Sequence, residues 1–346
     1  MITKYLKKYL QQVEQPARFK SLDGWRGISI LLVLAAHLLP LGPKSWELNA
    51  TFGAAGMAIF FILSGFLITN ILLNGENISH FIIKRLARIV PLAWLILFIS
   101  LLLIGATHLQ WINNFIFIAN WPPISLTTEI SHFWSLSLEV QFYFIIAFLF
   151  LVVPKQIKYI IFILAISTTT FRIIQQVPIA INTYYRIDEI LAGSILALIF
   201  NSDKTTTKNI FSKTPTFIIA LLLLMSSSPK FEMLNYLRPY MAMIMVASTL
   251  FGSEENFTQR LLNIKILVYI ATISYALYVI HGGLRHTWLG SGETLEKYIK
   301  RPLLLIFTFV AAHISTKYYE SYFQNKARKL IDWKFKKTQI GNNSHG

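Results

Sequence analysis

The chain has 346 residues, 54% of them hydrophobic and 14% charged, with no cysteine and a formal charge of +16. That balance excludes a soluble domain, which could not cover its surface with so few polar groups, and reads as an all-α polytopic membrane protein. The missing cysteine excludes disulfides, thiolate metal sites and a cysteine acyl relay, and the placement of the cations, taken below, excludes nucleic acid as their partner.

Residues 1–20 place Ile2, Tyr5, Leu6, Tyr9, Leu10 and Val13 on one helical stripe beside Lys4, Lys7 and Lys8, the pattern of an amphipathic helix lying on a membrane surface. The apolar run behind it holds an Arg and a His and lacks a small-x-small cleavage site, so the segment is expected to be retained rather than removed as a signal peptide. Ten spans are expected, at 26–41, 50–73, 89–109, 133–153, 157–175, 184–200, 213–228, 235–251, 264–285 and 301–321, forming one membrane domain over 21–321. With this scheme 22 Lys and Arg fall in cytoplasmic segments and 5 in outer loops, which predicts that both termini are cytoplasmic. The loop 110–132 carries no Lys or Arg and is rich in Trp, Phe and Asn, as a re-entrant or sugar-facing segment would be. The tail 322–346 repeats aromatics and Lys like a second interfacial helix, and its polar end from 338 is expected to be disordered.

Ionisable residues inside spans are costly and count as functional candidates. Arg26 and His37, eleven residues apart in the first span, project from one face at about 16 Å separation along the axis. Arg snorkelling and a hydrogen-bonded His in a helix bundle would account for the same pair. Counted from the outer ends of their spans, His37 and Glu139 both lie ~6–9 Å deep, so they are expected to share a layer. Ser135, Glu139 and Tyr143 share one helix face, Ser274, Tyr278 and His281 another, and Arg186 and Glu189 form an i, i+3 pair near the outer start of the sixth span. His281 alone fits an interfacial histidine equally well. On the inner side, Arg85 and Arg88 lie one turn apart at the depth of Arg26. They suit a phosphate clamp as well as ordinary positive-inside charge.

The two layers suggest one mechanism, in which a coenzyme A thioester binds by its phosphates at Arg26, Arg85 and Arg88 and delivers its acyl group near His37. There His37 acts as general base, oriented by Glu139, or as a transient acyl carrier. His37, His132 and His281 have no metal-ligand spacing, so no metal and no bound cofactor is expected, the coenzyme A thioester being a co-substrate. Ser64 and Gly65 read as part of a small-residue packing face.

At these residues the chain resembles acyltransferase family 3, the bacterial integral-membrane O-acyltransferases of surface polysaccharides. SLDGWRGISILLVLAAH resembles its opening Arg and His motif, and GAAGMAIFFILSGFLIT, FIIKRLARIVPLAW, FWSLSLEVQFY, YRIDEILAGSILA and ATISYALYVIH resemble its later blocks in order. The resemblance implies a ten-helix domain of the bacterial inner membrane that moves an acyl group, usually acetyl, to a carbohydrate hydroxyl of an envelope polysaccharide such as lipopolysaccharide, or its lipid-linked precursor. It implies roles for Arg26 and His37, for Arg85 and Arg88, and for Glu139. In the block around Arg186, Glu189 and Gly193 match, and Ile190 stands where an aromatic is common. Some relatives append a periplasmic hydrolase-like domain that completes transfer; this chain is expected to finish transfer alone or with a partner. Arg186, Glu189, Ser274, Tyr278 and His281 are expected on the acceptor side. Two other readings are a saccharide exporter using the same polar cavity, and an enzyme of this fold acting on small molecules or peptides.

Overall fold

The computed structural model describes residues 19–253 and 256–343, so the interfacial helix expected over 1–20 lies outside the described residues up to residue 18. Every regular element among them is helical. In chain order these are α1 Lys20–Leu38, α2 Leu48–Leu73, α3 Ile78–Leu103, α4 His108–Phe115, α5 Phe133–Val152, α6 Ile157–Ile174 and α7 Thr183–Phe200. There follow α8 Thr205–Lys213, α9 Thr216–Met225, α10 Arg238–Leu250, α11 Phe257–Leu262, α12 Lys265–Arg285, α13 Thr294–Ile314 and α14 Ser321–Asn343, a π-helical turn Ser315–Glu320 joining the last two.

Local chemistry sets the boundaries. α1 ends at Leu38 because Leu39 precedes Pro40 and takes the extended conformation (φ −118°, ψ 149°) that the proline ring imposes on its neighbour. The Asn77 side chain accepts from the Ser79 and His80 amides and starts α3. Thr107 and Gln110 form a reciprocal capping box on α4.

α2 is the central helix, packed by α1, α5, α7, α9 and α10. Its crossing with α7 is backbone on backbone. A Cβ on Gly65 would lie 1.8 Å from the Ile190 carbonyl oxygen, and one on Gly193 would lie 2.2 Å from that of Ile62, so two glycines at one crossing permit the approach. The small-residue reading of Gly65 is correct. Outside this core, Phe98, Ile99 and Leu102 on α3 and Ile306, Phe307 and Val310 on α13 are exposed, as lipid-facing side chains are.

Six helical runs are long and apolar enough to cross a membrane: α2, α3, α5, α6, α12 and the continuous Leu295–Trp333. The protein is multi-pass, but the expected ten spans are not all met. α1 carries Lys20, Asp23 and Arg26, and α7 carries Arg186, Asp188 and Glu189. Where spans were expected at 213–228 and 235–251, α9 has 10 residues and α10 has 13, against about 20 for a crossing. Pro215 breaks the first of these, leaving α8 and α9 bent by 79°, and Pro229 and Pro239 limit helix between them. A bent α8–α9 pair counted as one span would make seven.

Two other expectations change. The loop 110–132 contains α4, whose Leu109 and Ile112 are exposed, while its asparagines are used internally. Asn113 donates to Ser125 Oγ (2.8 Å), and Asn120 donates to Thr183 Oγ1 (2.9 Å) and accepts from Gln141 Nε2 (3.0 Å), tying the loop to α5 and α7. Those amides are therefore not free to meet a sugar. At the C-terminus no break follows residue 321, and the backbone stays helical to Asn343 beyond the point where disorder was expected, because no helix-breaking proline intervenes.

Candidate functional site

A cavity lies between α1, α2, α3, α5 and α12. Arg26 enters it from α1, Arg85 and Arg88 from α3, Ser64 from α2, Ser135, Glu139 and Tyr143 from α5, and Ser274, Tyr275 and Tyr278 from α12. Glu139 is fixed through one oxygen: Oε1 accepts from Ser64 Oγ (2.8 Å) and from Tyr143 OH (2.8 Å). The Arg85 guanidinium sits 5.8 Å above the Phe81 ring, and Phe81 meets Tyr143 edge to face at 6.0 Å. None of Arg26, Arg85 and Arg88 makes an ion pair or a hydrogen bond through its side chain with a described residue. Three guanidiniums and one carboxylate leave this half-buried chamber with an excess of two positive charges. Such groups are stable when an anion with several oxygens satisfies their donors. Tyr275 OH donates to the Ile89 carbonyl (2.5 Å) and Tyr319 OH to that of Pro91 (3.4 Å), which pins the arginine-bearing part of α3 to α12 and to the π-helical turn.

Beyond Tyr278, at the far end of α1, stands a group of three imidazoles. His37 Nδ1 lies 3.0 Å from His281 Nε2, with ring centroids 5.1 Å apart and planes 12° from parallel, so the two rings meet edge to edge. His281 Nδ1 is 2.6 Å from the Tyr278 carbonyl oxygen and 3.2 Å from that of Leu277. His132, at the start of α5, directs Nε2 to the Val279 carbonyl (3.3 Å), its ring centroid 5.0 Å from that of His281. Gly282 makes this packing possible, since a Cβ there would lie 2.0 Å from His132 Cε1. Tyr278 divides the histidines from the cavity: its hydroxyl donates to the His132 carbonyl and lies 2.5 Å from Ser135 Oγ, and its ring faces Phe60 at 6.3 Å. Among the described residues no group of three His, Cys, Asp or Glu side chains is arranged to hold a metal ion.

Arg26, Arg85 and Arg88 thus converge on one chamber, Glu139 joins them there rather than in the layer of His37, and His37 and His281 meet at its end. The expected pairing of His37 with Glu139 does not occur. Glu139 bonds Ser64 and Tyr143 on the arginine side, and His37 bonds His281. The error comes from Pro40: α1 ends three residues before the expected limit of 41, so His37 sits in the last turn, ~4.5 Å nearer the end than counted. Ser274 lines the arginine chamber rather than the histidine end.

Arg186 and Glu189, expected on the acceptor side, do not line this chamber. They lie in a buried ion cluster, where Arg238 Nε meets Glu189 Oε1 at 2.6 Å, Arg186 Nε meets Glu189 Oε2 at 3.2 Å, and Arg172 Nη1 meets Asp188 Oδ2 at 2.6 Å. This cluster joins α6, α7 and α10, and Arg186 rests over the Trp134 ring at 5.2 Å. Its key partner, Arg238, is 49 residues from Glu189, beyond the reach of any helical spacing rule. Sequence reasoning does not find Ser64, hidden beside Gly65 in a packing motif, or His132, which no spacing rule links to His281.

A family model for an acyltransferase domain matches residues 19–316. The peptidoglycan O-acetyltransferase OatA of Listeria monocytogenes is 24% identical over 92% of this chain and 56% of its own length. A Staphylococcus aureus protein provisionally named an O-acetyltransferase is 24% identical over 96% of this chain and 61% of its own. A Bacillus subtilis protein provisionally named a peptidoglycan O-acetyltransferase is 26% identical over 75% of this chain and 47% of its own. The chain therefore spans under two thirds of the length of these curated relatives. No solved structure matches it significantly.

Proposed function

Because the chain belongs to the acyltransferase-domain family, we propose that it is an O-acyltransferase of the bacterial inner membrane. In this reading it moves an acyl group, acetyl above all, from a coenzyme A thioester to a hydroxyl of a cell-envelope glycan or its lipid-linked precursor. The observation that carries the reading is the set of three guanidiniums that line one chamber, none of them ion-paired to a described residue, with an imidazole pair at its end. A coenzyme A head is rich in phosphate oxygens, the ligand that such a set satisfies. The excess of Lys and Arg in the loops on the Arg26 side supports a cytoplasmic orientation for that end, where acyl-coenzyme A is found. The names of the relatives support an envelope glycan as acceptor. Family membership favours group transfer over the exporter, which no feature of the cavity calls for.

His37 takes the proton of the acceptor hydroxyl as that oxygen attacks the thioester carbonyl carbon. The C–S bond breaks, the sulfur leaves with the proton returned from His37, and one ester and one free thiol result. Glu139, held by Ser64 and Tyr143, offsets part of the positive charge of the chamber and does not act on His37 directly.

The reading is tested by equilibrium binding of radiolabelled acetyl-coenzyme A to the purified protein in detergent. Unlabelled coenzyme A is expected to displace the label, and pantetheine, which lacks the phosphates, to displace it poorly. Equal displacement by both would remove the arginines as the donor site.

The histidine end gives a second expectation. Gly282→Ala forces the His132 ring away from α12 and disturbs His281, whereas Gly283→Ala meets nothing closer than 3.9 Å. Transfer by Gly282→Ala should fall by about fivefold or more, the lower end of overpacking costs. Gly283→Ala should stay near wild type. Equal rates for the two variants would show that the packing of His132 does not matter to the reaction.

A further inference from the structure

We infer that His281 is a positioning residue that holds the His37 proton on Nδ1 and so makes Nε2 the nitrogen that accepts the acceptor's proton. The inference deepens the reading of His37 as a base and rests on it for its consequence, though not for its geometry. The argument begins at the backbone. His281 Nδ1 faces two carbonyl oxygens, of Tyr278 at 2.6 Å and Leu277 at 3.2 Å. A carbonyl only accepts, so Nδ1 carries the hydrogen. In a neutral imidazole the other nitrogen is then an acceptor, and His281 Nε2 presents its lone pair to His37 Nδ1 at 3.0 Å. His37 Nδ1 must therefore donate, and the lone pair of His37 is left on Nε2. The near-parallel ring planes, 12° apart, place that lone pair and the N–H in line.

A histidine side chain in water favours its proton on Nε2, so this arrangement selects the less common form. Two neutral rings and a backbone carbonyl do here what a carboxylate does when it orients a catalytic imidazole. When His37 takes a second proton at Nε2, its Nδ1–H already points at a lone pair, and the positive charge of the imidazolium is shared along the line His37, His281 and the Tyr278 carbonyl. His281 touches no reacting atom in this scheme. Its register is set by α12, where it stands one turn beyond Tyr278, and by the His132 ring packed against it.

The test reads tautomer and rate together in the full chain in lipid. With nitrogen-15 histidine, the His37 signals are identified among the eight histidines by their loss in His37→Ala. In wild type, the nitrogen shifts should show Nδ1 protonated and Nε2 not. In His281→Ala the proton should move largely to Nε2, and kcat should fall on the order of 10²-fold while KM for acetyl-coenzyme A stays within about twofold. His281→Gln, whose amide oxygen reaches the place of Nε2, should restore both the tautomer and most of the rate. Retained binding of acetyl-coenzyme A shows that each variant is folded. A His37 proton on Nε2 in wild type overturns the assignment whatever the activity. An unchanged tautomer and rate in His281→Ala overturn it as well. If the tautomer behaves as stated but His37→Ala still turns over, the reading of His37 as the base fails and the geometric assignment stands.

Discussion

Replacing His37 by alanine is expected to abolish acyl transfer and to leave donor binding within about twofold of wild type. The two halves of this expectation come from different parts of the site. General-base catalysis by a positioned imidazole contributes roughly 10²–10⁴-fold, and among the described residues no other base stands at the place of His37 Nε2. His281 directs its lone pair at His37 and its N–H at a carbonyl, and His132 is turned to the Val279 carbonyl. Glu139 is held on the arginine side by Ser64 and Tyr143. Donor binding should survive because His37 lies beyond Tyr278, outside the chamber lined by Arg26, Arg85 and Arg88. Single-turnover assays with radiolabelled acetyl-coenzyme A and an acceptor glycan separate the two quantities. Retained transfer in His37→Ala would remove the residue from the chemistry, and a parallel loss of binding would move it into the donor site.

What the sequence disclosed of this site follows the range over which each rule acts. Arg26 with His37, Arg85 with Arg88, and Ser274 with Tyr278 and His281 were legible because helical periodicity is local and each set lies on one helix. The meeting of α1, α3, α5 and α12 around a chamber was legible only as shared depth, which is a coarse coordinate. Depth failed for His37 and Glu139 because a single residue, Pro40, ended α1 early and moved His37 by about a turn relative to the count. It failed for Arg186 and Glu189 because burial of an i, i+3 ion pair says nothing of its third member, and Arg238 captured Glu189 from a distant helix. The two spans expected over 213–251 are not met as continuous helices, for a related reason. Its composition suits two spans, but Pro215, Pro229 and Pro239 divide it into short helices, none of them alone long enough to cross. Composition reports what solvent a segment prefers, while proline decides whether its backbone can stay helical there.

The second large effect expected is on the donor, and it separates two meanings of the same charges. Lys84, Arg85 and Arg88 stand together at the start of α3, and all three would satisfy a positive-inside bias. The structure sets them apart. Lys84 is exposed and bonds Glu76 at 2.7 Å, whereas Arg85 and Arg88 turn into the chamber without an anionic partner among the described residues. If their role were orientation alone, the three positions would be interchangeable in effect. If they hold phosphates, each contact is a charge-assisted hydrogen bond worth about 1.5–3 kcal/mol, so removing two should weaken acetyl-coenzyme A binding by roughly 10²-fold or more. Lys84→Ala should leave it unchanged. Binding to wild type should also weaken as salt is raised, and the double variant Arg85→Ala with Arg88→Ala should lose much of that dependence, because half-buried guanidiniums are among the groups that carry it. Calorimetric titration of the three proteins at two ionic strengths reads both effects. A double variant that binds the donor as wild type does would return these arginines to topology, and the chamber would then have to be explained by another anion.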